Sequence, residues 1–490
     1  MTTRRLVIWI TFLAIFAMSA RISMDTDTWW HLRAGQWILE NYQIPQVDPF
    51  SYTREGASWE YPGWLVEVPM LLIYQTFGPG GMNIWTALWV TLAFWFVWKT
   101  MNGGEFLKAF IIILAATASG VYWAARPYLV TFLFIAMYLW ILETYRWQRD
   151  GNKTTRIWWL PFLMIIWVNS HGGFILGFII WGVYWISEAS SILWDSLIRR
   201  KNKFKLARIG TPLLMSGVLM VLAVCVNPYG ADMFLYPLKT IQIGVLREYI
   251  QEWQTPQFHS LSVQPFAWLL LLTFGFVGAS RKRLAFIDFS LISIFAYLGL
   301  LAGRNVALFS IVAPMVISRH AAPIITTISR WISFRAMTTG SPSKKLQIVN
   351  AGIFAILVLS VLYKVTIIYP NQVNEAAFKE YLPIEAVNYL KTEKPQGMLF
   401  NSYNWGGYLL WALPEYPVFV DGRTDLYNDE IIGEWLDVIK AEGGWQELLN
   451  RYGVGIVLIE NGSALDRALL MDTEWERVYE DSLAVVYEKR

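Results

Sequence analysis

Cysteine is almost missing from this chain: Cys225 stands alone among 490 residues, inside an apolar run. That excludes an intramolecular disulfide, a CxxC pair and a thiolate zinc site. Charge is also sparse, at 16% of residues. No basic patch with interleaved aromatics stands outside the loops flanking apolar stretches, which argues against a nucleic-acid partner. The C-terminal part contains neither a P-loop nor a GxGxxG fingerprint. What abounds instead is apolar surface: 55% hydrophobic residues and 27 tryptophans, the profile of a polytopic membrane protein.

Eleven apolar stretches approach the ~20 residues that cross hydrocarbon. They lie at about 4–22, 81–98, 106–124, 128–146, 157–169, 173–188, 211–227, 264–280, 285–303, 305–318 and 347–367. Arg4-Arg5 and residues 6–20 resemble a signal peptide with a passable site at Ala17-Met-Ser19, but read better as an uncleaved first span. The basic connections are the N-terminus, Arg146 to Arg156, Arg199 to Arg208, Arg281 to Arg283 and Arg319 to Lys345. The positive-inside rule places them all in the cytoplasm. An odd number of crossings then leaves the C-terminus outside the cell membrane. The scheme requires residues 64–78, "WLVEVPMLLIYQTFG", to form an interfacial helix, consistent with Glu67 and Pro69 within them. It also makes 157–188 a hairpin with Asn169 to Gly173 at its outer tip.

The charge is uneven. Residues 368–490 hold 21 Asp and Glu against 10 Lys and Arg, so a basic membrane part, 1–367, is followed by an acidic, water-exposed part. In the latter, short apolar runs at Met398–Phe400, Val418–Val420, Ile456–Ile459 and Leu483–Tyr487 read as strands. Helical patterns at 383–392, 428–440 and 444–451 lie between them. The fold class is thus a polytopic α-helical membrane protein of about eleven spans with a C-terminal extracytoplasmic α/β domain.

Unusual polar residues collect on the outer face, where charge at membrane depth is costly and usually functional. "MDTDTWWH", residues 24–31, follows the first span. Asp25 and Asp27 read either as helix-cap acids or as a general base or metal-binding pair whose proton affinity partial burial raises. His31 falls one helical turn after Asp27 and could share its proton, or serve only structure. Trp29, Trp30 and Trp37 fit both an interfacial aromatic belt and a sugar-stacking platform. Arg126 and Arg304 suit a phosphate, with snorkelling as the alternative. His171 and Glu67 are further cavity candidates. Glu248 and Glu252, in the 227–264 loop, fit a solvated helix face or the completion of a metal site.

These residues resemble a family, the GT-C membrane glycosyltransferases that use lipid-linked sugars. The stretch from Asp27, with Trp29, Trp30, Arg33 and Ala34 and then Trp59, Tyr61, Pro62 and Gly63, is similar to the first outer loop, 23–80, of oligosaccharyltransferase catalytic subunits. "NSYNWGGYLLWALPEYPVFVDGRTD", residues 401–425, is similar to their acceptor-binding WWDYG segment, although Asn404 precedes a single Trp405 and the acid of WWD is missing. The second acidic pair of those enzymes is absent from "YWAARPY", residues 122–128. In that respect the chain is similar to protein O-mannosyltransferases and lipid A aminoarabinose transferases.

The resemblance implies inverting transfer of a sugar from a polyprenyl-phosphate or diphosphate carrier to a protein, lipid or glycan acceptor on the outer face. Asp27, or Asp25, would be the base, and Arg126 and Arg304, with His171, would hold the phosphate. Trp405, Tyr408, Asp421, Arg423 and Asp425 would line the acceptor side. No cofactor is expected, although Glu248 or Glu252 could complete a site for Mg or Mn. Two readings compete: a transporter or flippase of lipid-linked or envelope precursors, and a non-catalytic membrane scaffold.

Overall fold

The computed structural model describes residues 1–147, 154–197, 203–245, 249–331 and 343–490. Each of the eleven apolar stretches is helical. Among the described residues, six helices are long and apolar enough to cross a membrane: Trp64–Thr100, Glu105–Tyr122, Tyr128–Trp147, Gly172–Trp194, Gly303–Ile328 and Lys344–Ile368. Four shorter apolar helices, Thr155–Val168, Thr211–Val224, Gln264–Ala279 and Phe286–Leu301, and the 17-residue α1, Thr3–Ser19, join them.

Helix α2, Asp27–Asn41, opens where the Asp25 carboxylate accepts a hydrogen bond from the Asp27 amide at 2.9 Å. Gly35 lets it press on the next helix, since a Cβ there would meet the Glu67 carbonyl oxygen at 2.7 Å. That helix, α3, Trp64–Thr100, is two helices joined at a break. Gly78 takes φ 65 and ψ −166, a left-handed conformation suited to glycine, and Pro79 follows. The break falls between residues 64–78 and the 81–98 stretch.

Helix α4, Glu105–Ser119, and helix α5, Tyr128–Trp147, continue the bundle, and α5 packs along α3. Its far end holds a buried charge cluster. There the Arg319 guanidinium bonds Glu143 at 2.7 Å and Asp288, while Tyr184 and Trp147 donate to Glu143 at 2.6 and 2.7 Å. At ~1.5 Å per residue, Glu143 lies roughly 22 Å along the helix from Tyr128.

After Ile368 the chain builds a mixed four-stranded sheet. Strands β1 (Met398–Asn401), β2 (Val454–Glu460), β3 (Trp475–Glu480) and β4 (Ala484–Lys489) lie in the order β1-β2-β4-β3, with β1 and β2 parallel and the other pairs antiparallel. One expectation needs correction, and one strand was not foreseen. Val418–Val420 is no strand of this sheet. Val418 makes a lone bridge to Ser51 of the segment between α2 and the next helix, while Asn401 bonds the Phe419 amide and the Val420 carbonyl, each at 2.8 Å. The polar β3, "WERVYE", is a strand that apolar runs do not reveal, because it is an edge strand with one buried residue at its start.

The sheet's helices rest on the membrane part through helix Tyr403–Ala412, which packs on α2. A second tie is Arg423, fully buried and bonded to Asp48 at 2.5 Å and to Asp421 at 2.7 Å. The ring of Trp59 lies 4.8 Å from its guanidinium carbon and that of Phe50 5.1 Å. Removing one member of a buried ion pair costs about 3–5 kcal/mol, because the other charge is stranded. Arg423→Met is therefore expected to lower the thermal unfolding midpoint of the detergent-purified protein by several degrees, whereas the exposed Lys379→Met, which breaks a surface pair with Glu385, should shift it by about a degree or less.

Candidate functional site

Four elements converge beside the start of α2: the 24–28 segment, the 123–128 connection, the 249–264 segment and the turn at Arg304. Their meeting point is Arg126. Its Nε lies 3.2 Å from Asp25 Oδ2, its Nη1 2.7 Å from Asp27 Oδ2 and its Nη2 2.9 Å from Glu252 Oε2. A planar guanidinium presents fixed, divergent N–H groups, so one arginine can serve three carboxylates at once. Arg304 stands behind, 3.7 Å from Glu252 Oε1, with its guanidinium carbon 4.5 Å from the Trp253 ring centre. Pro127 and the short turn that follows hold Arg126 at the mouth of α5, where the Leu129 amide bonds its carbonyl.

The carboxylates are not equivalent. Burial pushes Asp27 up to about 7; Arg126 opposes this, and the nearby charges of Asp25 and Glu252 add to it. Asp25 moves up for the same first reason. Burial also penalises Glu252, but Arg126 and Arg304 together outweigh it and draw the group down to about 2. At neutral pH the site thus pairs a fixed carboxylate, Glu252, with one poised to gain or lose a proton, Asp27. A group titrating near the working pH is what general base catalysis requires.

His171 sits beside this cluster in a defined tautomer. Its Nδ1 accepts from the Gly173 amide at 3.0 Å and meets the Thr131 hydroxyl at 2.8 Å, which leaves Nε2 to carry the proton. Burial, then Arg304 and Arg126, hold its pKa at about 3, so the ring is a neutral donor. His31 turns the other way. Its Nδ1 lies 2.8 Å from Glu67 Oε1 and 3.0 Å from the Tyr61 hydroxyl, in a buried group separate from the Arg126 cluster. Burial pushes its pKa well below the ordinary value.

Among the residues expected on the acceptor side, Asp425 bonds the Tyr236 hydroxyl at 3.1 Å and lines an outer cavity of about 590 Å³, together with Trp59, Glu60, Lys239 and Asp429. Trp405 is buried and donates to the Tyr381 carbonyl at 2.9 Å. Asp421 and Arg423 are buried in the tie to Asp48. Tyr408 packs edge-on to Trp29, 5.4 Å between ring centres. Trp29 and Trp30 are buried between α2 and the C-terminal helices, so they form neither a lipid-facing belt nor an open sugar platform. Glu248 lies outside the described residues.

Three contributors were not singled out from sequence: Asp48, Thr131 and Gly422. A Cβ at Gly422 would lie 2.0 Å from Asp27 Oδ1. Asp48 alone carried a local signal. Its carboxylate accepts from the Phe50 and Ser51 amides at 3.1 Å, the turn chemistry of an Asp-Pro step.

The three carboxylates converge on a permanently charged guanidinium, which takes up the centre of the cluster.

No family model matches the sequence, and neither does any curated protein. Solved structures do. The oligosaccharyltransferase of Archaeoglobus fulgidus, tethered to an acceptor peptide containing an NVT sequon, superposes with a TM-score of 0.57 at 12% identity, over 92% of this chain and 69% of that one. The same organism's oligosaccharyltransferase AglB, in complex with an inhibitory peptide and a dolichol-phosphate, gives 0.50 at 11% identity over 94% and 70%. ArnT from Cupriavidus metallidurans, in the apo state, gives 0.45 at 14% identity over 99% and 97%. The chain is a membrane protein with the GT-C fold.

Because the Glu252 charge raises Asp27's proton affinity, Glu252→Gln should lower the Asp27 midpoint below about 7. Water-soluble carbodiimide reacts with the protonated acid. Mass-spectrometric labelling of Asp27 at pH 7 should therefore fall in that variant relative to the parent.

Proposed function

We propose that this protein is an outer-face glycosyltransferase that moves a sugar from a polyprenyl-phosphate or diphosphate carrier to a hydroxyl or amide acceptor, with inversion. The observation that carries the reading is Arg126 bound to Asp25, Asp27 and Glu252, with Asp27 held near pH 7. The GT-C fold supports it, as do the acceptor peptide and the dolichol-phosphate bound by the oligosaccharyltransferases that share the fold.

In the proposed reaction the acceptor's oxygen or nitrogen attacks the anomeric carbon from the face opposite the carrier. The bond from that carbon to the phosphate oxygen breaks, and the electron pair leaves with the phosphate. Asp27 takes the acceptor proton as the new bond forms. Arg304 and Arg126, with the His171 Nε2–H as a neutral donor, offset the charge developing on the phosphate. A donor anchored in lipid and an acceptor in water meet only at the membrane boundary. That makes the end of the first span a suitable place for the base. Guanidinium occupies the centre of the carboxylate cluster, so a divalent ion is no part of this scheme.

Transfer from radiolabelled polyprenyl-phosphate sugar in membranes tests the reading. Asp27→Asn should reduce the rate by ~100-fold or more, the usual scale for a lost general base. In the parent, the rate should rise with pH through about 7, because the base works only when ionised and its folded-state pKa is raised to that value. Undiminished transfer in both Asp27→Asn and Asp25→Asn sinks the assignment.

Manganese titration tests the metal-free scheme. Arg126→Ala removes the cation that, among the described residues, bonds all three carboxylates. It should create a manganese site visible as loss of the free-ion EPR signal, whereas the parent titrated with Mn²⁺ should leave that signal unchanged.

A further inference from the structure

The two oxygens of the Asp27 carboxylate meet different surroundings. Oδ2 is bonded by Arg126 Nη1 at 2.7 Å. Oδ1 faces the backbone of Gly422, where a Cβ would lie 2.0 Å from it, 3.0 Å from Asp27 Cγ and 3.1 Å from the Trp30 indole nitrogen. Thus bare backbone from the C-terminal part of the chain forms one wall of the carboxylate's seat.

That wall is stiff. The Asp421 carboxylate accepts from the Arg423 amide and Nε, both at 2.9 Å, from Arg423 Nη2 at 2.7 Å and from the Tyr427 hydroxyl at 2.7 Å. Arg423 Nη1 reaches across to Asp48 at 2.5 Å. The turn 421–423 is therefore held within itself and pinned to the first outer loop. The adjoining helix Tyr403–Ala412 closes in on both sides through two further glycines. A Cβ at Gly406 would stand 2.1 Å from the Val420 carbonyl oxygen, and one at Gly407 2.8 Å from that of Thr26. Backbone meets backbone at each of these points, so no side chain is available to absorb a shift.

We propose that the Asp421-Gly422-Arg423 turn is a positioning element for Asp27: it blocks the carboxylate from rotating off Arg126, and Gly422 is required because only hydrogen fits between the turn and Oδ1. The inference goes beyond the reading of Asp27 as base and rests on it for its effect on rate, but not for its effect on the carboxylate itself. The charged and titratable groups facing Asp27 are Asp25, Arg126 and Glu252 from the membrane part and Tyr403 from the C-terminal part. A shift in Asp27's seat therefore alters its distance to all four.

Gly422→Ala tests this without backbone strain, since Gly422 does not occupy the left-handed region. In the full chain reconstituted in nanodiscs, the variant should lower kcat for sugar transfer on the order of 100-fold, the scale of an ångström misplacement, with the KM for the lipid donor nearly unchanged. The rate of carbodiimide labelling at Asp27 should rise at least fivefold, and the midpoint of its pH dependence should move.

Arg423→Lys keeps the charge but loosens the fork, and should increase labelling at Asp27 in the same direction. It serves if Gly422→Ala does not fold. Parent-like labelling of Asp27 across pH in the folded variants overturns the proposal. Increased labelling together with full transfer by Asp27→Asn would overturn the assigned base while leaving the positioning role supported.

Discussion

The fold turns on a single guanidinium. Arg423 carries a full charge with no exposed surface, and it is stable there because both neighbouring carboxylates, Asp421 two residues before it and the distant Asp48, are equally shut off from water. Desolvating three charges together is tolerable only when nearly every N–H and lone pair finds a partner. Tyr427 and the Phe50 and Ser51 amides complete that set. What results is less a gain in stability than a fixed register between two regions of the chain, with Asp27 lying in the seam.

Arg126 applies the same chemistry to a different end. It binds three acids where Arg423 binds two, and its site is partly open and its acids are unequally placed. Glu252, shared with Arg304, is held ionised; Asp27, pushed up by burial and by the neighbouring charges of Asp25 and Glu252, is not. Where Arg423 is saturated and inert, Arg126 keeps one partner close to its titration point.

Most of the architecture was legible in the sequence because it follows from hydrophobic length and from glycine and proline. The helical stretches and the break at Gly78-Pro79 are of this kind. Asp27, Arg126, Glu252 and Arg304 stood out because charge beside an apolar run is conspicuous, and the structure brings all four together. Their mutual bonding was not legible, since it depends on how distant loops fold over one another. The same limit explains His31: one turn from Asp27 in sequence, it faces a different neighbour because α2 rotates it toward Glu67. It also explains Trp29 and Trp30, whose aromatic character suggested lipid or sugar but whose side chains are covered by helices some 350 residues later. Gly422 carried no readable signal, as its close approach to the Asp27 side chain leaves no mark in either segment alone.

The tie from Arg423 to Asp48 spans 375 residues. During synthesis at ~5–20 residues per second, roughly 20 to 75 seconds separate the two partners. Throughout that interval the first outer loop has been made, yet Asp48 lacks its counter-ion and the indole of Trp59 its cover. The cluster around Asp27 likewise lacks one wall until the turn at 421–423 arrives. A ribosome that stops early therefore yields a product without an assembled carboxylate seat, so completeness of the polypeptide is checked by the geometry itself.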